Sequence, residues 1–423
     1  MLFFANNFLN LCNQNWILLS MFLTALWGFS PIQIVVFLAL LLLFIIELFY
    51  LFAIYNSLYR YTRRAQAGGV SYLPDLPPVS VVVYAHDDEA EGLHDLLPLL
   101  LQQEYSCYEV IVVNDRVSFE VQNMIALYEC EHKNLYQTAV PETVYNVSRK
   151  KLGITLGIKA AKHDIIILTE ACCKPQSNKW LSSIARNFVP GVDVVLGHTR
   201  MVAKDGSQRR GFASFDRMLF ALRYLAYAVI KKPYMGMGCN MAYRRSVFFD
   251  NKGFSATLNL HYGDDDLLIN EIAHSGNTRV ELSQESLVDN ILEDVGEAWN
   301  ELRARYHFTS KYLHTSSRSV YLIEDCLHLL FVLSFAVAMA LLLPGVIAGH
   351  VPAIIALAAV IVTVLLWWLI EWRVYRRIVR LLREPVTPFW VPLYQLFRPF
   401  YRLYCSLRDK GNMKSNFTWQ HLR

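Results

Sequence analysis

A chain of 423 residues, 54% hydrophobic and only 18% charged, is long enough for a soluble domain plus membrane helices, at roughly 100–200 residues per domain. Its formal net charge of +4 gives no dense basic face, so nucleic acid is not an expected partner. The eight cysteines form no C-x-x-C pair, which excludes a disulfide-rich secreted scaffold and fits a reduced, cytosol-facing domain.

The first 30 residues contain no Lys or Arg before the apolar stretch Trp16–Phe29. A secretory signal needs a basic start, so none is expected. The stretch is short for a span and reads as an interfacial or re-entrant segment, the alternative being an extra span. Ile32–Tyr55 is long and apolar enough to cross a bilayer, interrupted only by Glu47. Arg60, Arg63 and Arg64 follow it, and Lys/Arg excess marks a cytoplasmic flank.

Pro74–Pro78 is a proline-rich linker. Beyond it, apolar β-branched runs alternate with helical spacing. Val79–Val83, Glu109–Val113 and Asp164–Leu168 predict buried strands; Glu91–Gln103, Phe119–Cys130 and Lys150–Lys162 predict helices. Continuous apolar strands between amphipathic helices predict a mostly parallel, Rossmann-like sheet covered on both faces. Ligands of such sheets sit beyond the carboxyl ends of the strands. Those ends read Tyr84-Ala85-His86-Asp87-Asp88-Glu89, Asn114-Asp115-Arg116 and Thr169-Glu170-Ala171-Cys172-Cys173. They suit a polyhydroxylated ligand or a metal-bound phosphate. The absence of G-x-G-x-x-G after the first strand, and of a Walker-type loop, argues against dinucleotides and P-loop chemistry.

Further along, Gly263-Asp264-Asp265-Asp266-Leu267 sets three carboxylates in a row. Adjacent like charges raise one another's pKa unless a cation or a proton-transfer task compensates them. Cys172-Cys173 reads as a pair of packed thiols, and His86, His198 and His261 match no zinc spacing. Cys326–Gly349 and Val351–Trp372 then form an apolar hairpin with a short outer loop and basic inner ends. Glu47, Glu324 and Glu371 lie toward the inner ends of the three runs, where snorkelling is expected. The Pro388–Leu407 stretch, rich in aromatics and arginine, suits the inner membrane surface.

Four segments follow: an N-terminal membrane region (1–59, span 32–55), a cytosolic domain (60–318), a membrane hairpin (319–373) and a basic interfacial tail (374–423). The basic flanks predict a multi-pass membrane protein with the Arg60–Arg318 region in the cytosol.

The motif order Val79–Asp88, Val110–Asp115, Lys150–Lys162, Leu168–Pro175, Tyr234–Phe248, Gly263–Leu267 and Trp299–Tyr306 resembles the family-2 glycosyltransferases, particularly bacterial integral-membrane members. The resemblance implies an α/β GT-A catalytic domain embedded between transmembrane helices. It also implies a nucleotide-sugar donor, a UDP-sugar by family habit, and inverting transfer to a lipid-linked or glycan acceptor at the bilayer. Bacterial surface polysaccharide or glycolipid synthesis is the setting it suggests.

By the same resemblance Tyr84, Ala85, Asp88 and Asp115 face the nucleotide, and Lys150, Glu170, Arg303 and Arg305 face the diphosphate-sugar. Gly238 and Asn240 lie on the acceptor side. Asp264 takes the place of the general base, with Asp265 or Asp266 holding the acceptor. Glu170 takes the place of a ligand to Mn²⁺ or Mg²⁺. The family's second metal-holding aspartate is Cys172 here, a poor partner for a hard ion, which predicts weak divalent-cation dependence. Leu302 and Tyr306 replace the glutamine and tryptophan of the family's Q-x-x-R-W helix, which favours distributive transfer over processive polymerisation. A catalytically silent scaffold, and less so a transporter, are the rival readings.

Overall fold

The computed structural model describes residues 28–86, 90–117, 119–144, 147–207 and 211–412. The expectations for Trp16–Phe29 concern residues that lie largely outside these, and Asp88 lies outside them too. Helix α1 (Pro31–Gln66) begins with Ser30 capping Gln33 and with proline at its first position, a favourable helix start. It passes through a π-helical turn at Tyr50–Tyr55 and continues without a break. At 1.5 Å per residue its 36 residues reach about 54 Å, well beyond the ~30 Å apolar thickness of a bilayer.

A seven-stranded sheet follows. In chain order come β1 (Val79–His86), α2 (Ala90–Leu101), β2 (Tyr108–Asp115), α3 (Phe119–Glu131), β3 (Leu135–Ala139), α4 (Arg149–Ala160), β4 (Ile165–Glu170), β5 (Cys173–Pro175) and α5 (Trp180–Ala185). Next are β6 (Val194–Leu196), β7 (Thr199–Ala203), α6 (Phe212–Val229), β8 (Met241–Arg244), α7 (Arg245–Asp250), α8 (Asp266–Ile272), β9 (Thr278–Val280), β10 (Val288–Leu292) and α9 (Val295–Thr309). The main sheet is ordered β3-β2-β1-β4-β8-β6-β9, and β5-β10-β7 make a smaller one. Strands β3, β2, β1 and β4 are parallel; β8 alone runs against its neighbours β4 and β6. The α/β GT-A expectation holds: a mostly parallel sheet, with helices that could span a membrane on either side of it in the chain.

Register places the chemistry. Val82 pairs with Ile111 on one side and Leu168 on the other, so His86 falls opposite Asp115 and Tyr84 opposite Glu170. Helix α4 lies against this edge because two of its residues are glycines. A Cβ at Gly157 would come 2.6 Å from Val82 and 2.8 Å from Val113, and one at Gly153 would come 2.9 Å from the Tyr84 ring. Glycine weakens a helix by about 1 kcal/mol relative to alanine. Here the contact it permits holds the basic N-terminal turn of α4 over the strand ends.

Helices α10 (Thr315–Ile347) and α11 (Val351–Leu382) form the expected hairpin, and α12 (Val391–Asn412) follows. Among the described residues α1, α10 and α11 are long and apolar enough to cross a membrane. The boundaries read from sequence at 59/60, 318/319 and 373/374 all fall inside these continuous helices. The sheet-side portions of two of them belong to the core of the α/β domain: Leu51, Ile54 and Leu58 of α1, and Val374, Tyr375 and Ile378 of α11, pack in one cluster with the sheet. A second cluster of Leu40, Phe331, Leu342, Val360 and Trp367 joins the three spans to each other.

The acidic residues near the spans do not snorkel. Glu324 is buried, and Arg223 of α6 donates to Glu324 and to Asp325, at 2.6 Å each. Arg398 and Arg402 of α12 approach the same two carboxylates, and the Tyr55 hydroxyl donates to Glu324. Glu47 lies 3.0 Å from the His328 ring, and Glu371 is buried. Glu324 and Glu47 thus have protein partners, whereas the Oε2 of Glu371 is buried without one. Arg223→Met should lower the unfolding free energy by about 3–5 kcal/mol, because it leaves the buried Glu324 and the half-buried Asp325 each short of a partner. Thermal unfolding in detergent would measure this, and an unchanged midpoint would refute it.

Candidate active site

A cleft of about 200 Å³ opens beyond the carboxyl end of β4 and the amino end of its antiparallel neighbour β8, walled by α8 and α9. Its polar floor is Lys150, Glu170, Asp264, Asp265 and Arg305; Met201, Met237, Leu292 and Leu302 make an apolar side.

Three consecutive basic residues of α4 take three different tasks. Arg149 donates through Nε to Asp115 Oδ1 at 2.8 Å and through Nη1 to the Pro141 carbonyl. The Tyr84 hydroxyl donates to the other Asp115 oxygen. Lys150 places its ammonium 2.7 Å from Glu170 Oε1 and 3.0 Å from Asp264 Oδ2. Lys151, fully buried, donates to the carbonyls of Thr257 and Tyr262 at 2.7 and 2.8 Å. Ser148 caps the same turn and donates to the His261 carbonyl. One helical turn thus holds the end of β2, the carboxylate floor and the loop that delivers Asp264.

Three adjacent aspartates receive three environments. The chain turns at Gly263, whose φ of +99° suits glycine. Asp264 is buried beside Lys150. Burial alone would raise its pKa, but the Lys150 ammonium outweighs this and holds the carboxyl below the ordinary range. Asp265 is partly exposed to the cleft. It accepts from the Tyr306 hydroxyl at 2.5 Å, from Gly238 N at 3.2 Å and from Asp266 N at 2.7 Å. Burial and the neighbouring Asp264 push it up to about 6, against the pull of Tyr306. Asp266, almost wholly buried, accepts from Thr309 of α9 and from Leu267 N. Burial and Asp265 drive it well above the carboxylate range.

The remaining expected residues divide. Gly238 does lie against the floor: a Cβ there would come 3.3 Å from Glu170 Oε1 and 3.9 Å from Asp264 Oδ2. Arg305 lines the cleft with its guanidinium 4.5 Å from the Tyr262 ring and its side chain paired to Glu301, while its buried Nε has no partner. Tyr306 stacks on Phe220 with ring centroids 4.9 Å apart, which aims its hydroxyl at Asp265. Ala85 is fully buried opposite Asn114.

Two residues are placed elsewhere than the motif suggested. Arg303 turns toward α12, donating to Tyr401 at 2.6 Å, since successive helical side chains point about 100° apart. Asn240 is buried, its amide engaged by Trp180 and by the carbonyls of His198 and Ser286, so it builds the core beneath the cleft. Arg149 and Lys151, unforeseen from the sequence, belong to the site. Their signal was the basic run beside Lys150, which alone looks like a solvated helix start.

The floor does not suit a hard divalent ion. Among the described residues no group of three or more His, Cys, Asp and Glu side chains is disposed to hold a metal. Glu170 and Asp264 already share the Lys150 ammonium, and the second Glu170 oxygen accepts from Cys239 Sγ at 3.6 Å. Cys172, on the cleft wall, offers only sulfur. Mg²⁺ requires near-octahedral oxygen, and thiols favour softer ions.

The chain matches the profile of glycosyl transferase family 21 over residues 39–420 and belongs to that family. The family is thus family 21 and not the family 2 that the motif order resembles, and the protein is a glycosyltransferase. No curated protein matches it in sequence. Its structure is similar to the mannosyltransferase PcManGT from Pyrobaculum calidifontis in complex with GDP-Man and Mn²⁺ (17% identity, TM-score 0.49, covering 89% of this chain and all of that one). It is also similar to GalNAc-T7 with UDP, GalNAc and Mn²⁺ (15% identity, TM-score 0.40, 53% and 46%).

Lys151→Met removes the donor that holds the Thr257 and Tyr262 carbonyls. Each carbonyl left unsatisfied should cost about 1–3 kcal/mol of stability. Thermal unfolding should therefore begin at lower temperature than in the parent, whereas an unaltered curve would show that the loop is held by other contacts.

Proposed function

We propose that this glycosyltransferase moves a hexosyl or N-acetylhexosaminyl group from a nucleotide-sugar to a hydroxyl of a lipid-linked or membrane-proximal glycan acceptor. The observation that carries this reading is Asp265: one partly exposed carboxylate, pushed up to about 6, in a cleft that also presents Lys150 and Arg305. A weak hydroxyl nucleophile needs a base whose pKa lies near the working pH, and a departing diphosphate needs cations. Asp265 is the base in this reading, one residue on from the motif-based choice. Asp264 is neutralised by Lys150 and is a poorer proton acceptor, and Asp266 anchors α8 to α9.

A single displacement assisted by one base inverts the anomeric carbon. The uridine preference rests on the motif position of Asp115, whose ordering by Arg149 and Tyr84 makes a fixed wall at the nucleotide end. The membrane-proximal acceptor is supported by α9, which walls the cleft and leads into the apolar helix α10 after five residues. It is supported also by the apolar cleft side of Met201, Leu292 and Leu302. The exposed Phe397, Phe400, Leu403 and Leu407 of α12 suit an inner-leaflet surface. The basic flanks favour a cytosolic catalytic domain at a bacterial inner membrane, serving surface polysaccharide or glycolipid synthesis.

Asp265→Asn should lower kcat for transfer by about 10²–10⁴-fold with little change in the Kd for UDP. Asp264→Asn should act mainly on donor binding through Lys150. Loss of transfer in Asp264→Asn with retention in Asp265→Asn would return the base to Asp264.

The base works only when deprotonated. The kcat/KM profile should therefore fall as pH drops through about 6 and level off above it. A profile flat down to pH 4 would exclude Asp265.

A further inference from the structure

The carboxylate floor already contains a cation. Lys150 Nζ lies between Glu170 Oε1 at 2.7 Å and Asp264 Oδ2 at 3.0 Å. These are the two carboxylates that would face a divalent ion at this strand end. An ammonium carries three donors, so two are committed to the floor and the third is left toward the cleft that Lys150 lines. Gly238 stands beside the same oxygens without a side chain, leaving room for a phosphate oxygen to come close. Arg305 stands on the α9 wall of the same cleft with a buried, unpartnered Nε.

Resting on the reading above, we propose that Lys150 takes the place of a divalent cation, so that this enzyme transfers its sugar without metal. In the step, the acceptor oxygen forms a bond to the anomeric carbon and gives its proton to Asp265. The bond from that carbon to the diphosphate oxygen breaks, and its electron pair leaves with the nucleoside diphosphate. Lys150 and Arg305 donate to the oxygens on which this charge gathers, and neither loses its proton.

Two features support the substitution independently of the distances. A metal would have to displace or lie beside the ammonium, a like-charge contact in a partly buried site. The ligand position that remains is the Cys172 thiol, which does not attract Mg²⁺. The ammonium is held in place by the two carboxylates it touches.

The test uses the purified full-length protein in detergent. Transfer is measured with excess EDTA and with added Mn²⁺, and binding of UDP and of uridine is measured by calorimetry for the parent and for Lys150→Met. The expected results are transfer unchanged within twofold by EDTA, and at least tenfold weaker UDP binding in Lys150→Met with uridine binding intact. Transfer abolished by EDTA and restored by Mn²⁺ would overturn the proposal, and that arm needs no variant to fold. Equal UDP affinity in parent and folded Lys150→Met would overturn it as well. Failure of the parent to transfer from any nucleotide-sugar under either condition would instead sink the donor reading, while the UDP-against-uridine comparison would still decide the role of Lys150.

Discussion

The first turn of helix α4 is the constraint on which the site depends. Arg149, Lys150 and Lys151 point in three directions because successive helical side chains diverge by about 100°. Each meets a different acceptor: a strand-end carboxylate, the floor of the cleft, and the carbonyls of the loop before Gly263. None of these contacts could form if the helix stood farther from the sheet. Gly153 and Gly157 set that distance, so two residues that weaken the helix locally allow its basic turn to organise three separate segments.

The same economy appears at the membrane. Of the three helices long enough to cross a bilayer, α1 and α11 share the core of the catalytic domain, and α10 is tied to it by the ion pairs of Arg223. The domain is therefore not hung from the membrane by flexible linkers. Arg223, Glu324, Asp325, Arg398 and Arg402 bring α6, α10 and α12 together in buried ion pairs. Such pairs add little net stability over an apolar contact, but they are intolerant of a missing partner and so disfavour alternative packings.

Much of this was legible in the sequence, and the limits are physical. Strands β1, β2 and β4 announced themselves as β-branched runs with polar carboxyl ends, of which the last, Glu170, lines the cleft. Strands β5, β6 and β9, each three residues long, are too short to carry a periodic signal. Motif order located Lys150, Glu170, Gly238 and the three aspartates. It could not say that Arg303 points to Tyr401 while Arg305 faces the cleft, because spacing gives angular order about a helix and not which face its neighbours will cover. Asn240 looked available for the same reason; Gly197 and Trp180 enclose it, and both are distant in the chain.

The three aspartates show why sequence identity alone does not assign a base. Their intrinsic pKa values are the same, about 3.9, and desolvation pushes all of them up. What separates them is the partner each finds: Lys150 draws Asp264 down, Tyr306 moderates Asp265, and Asp266 meets a hydroxyl in the interior. Ionised Asp264 makes ionising its neighbour harder, so burial and Asp264 raise Asp265 against the opposing pulls of Tyr306 and Lys150. Lys150 therefore bears on both ends of the proposed chemistry. It would supply positive charge where the diphosphate leaves, and by pairing with Asp264 it leaves Asp265 as the carboxylate of higher pKa, where the acceptor's proton would be taken.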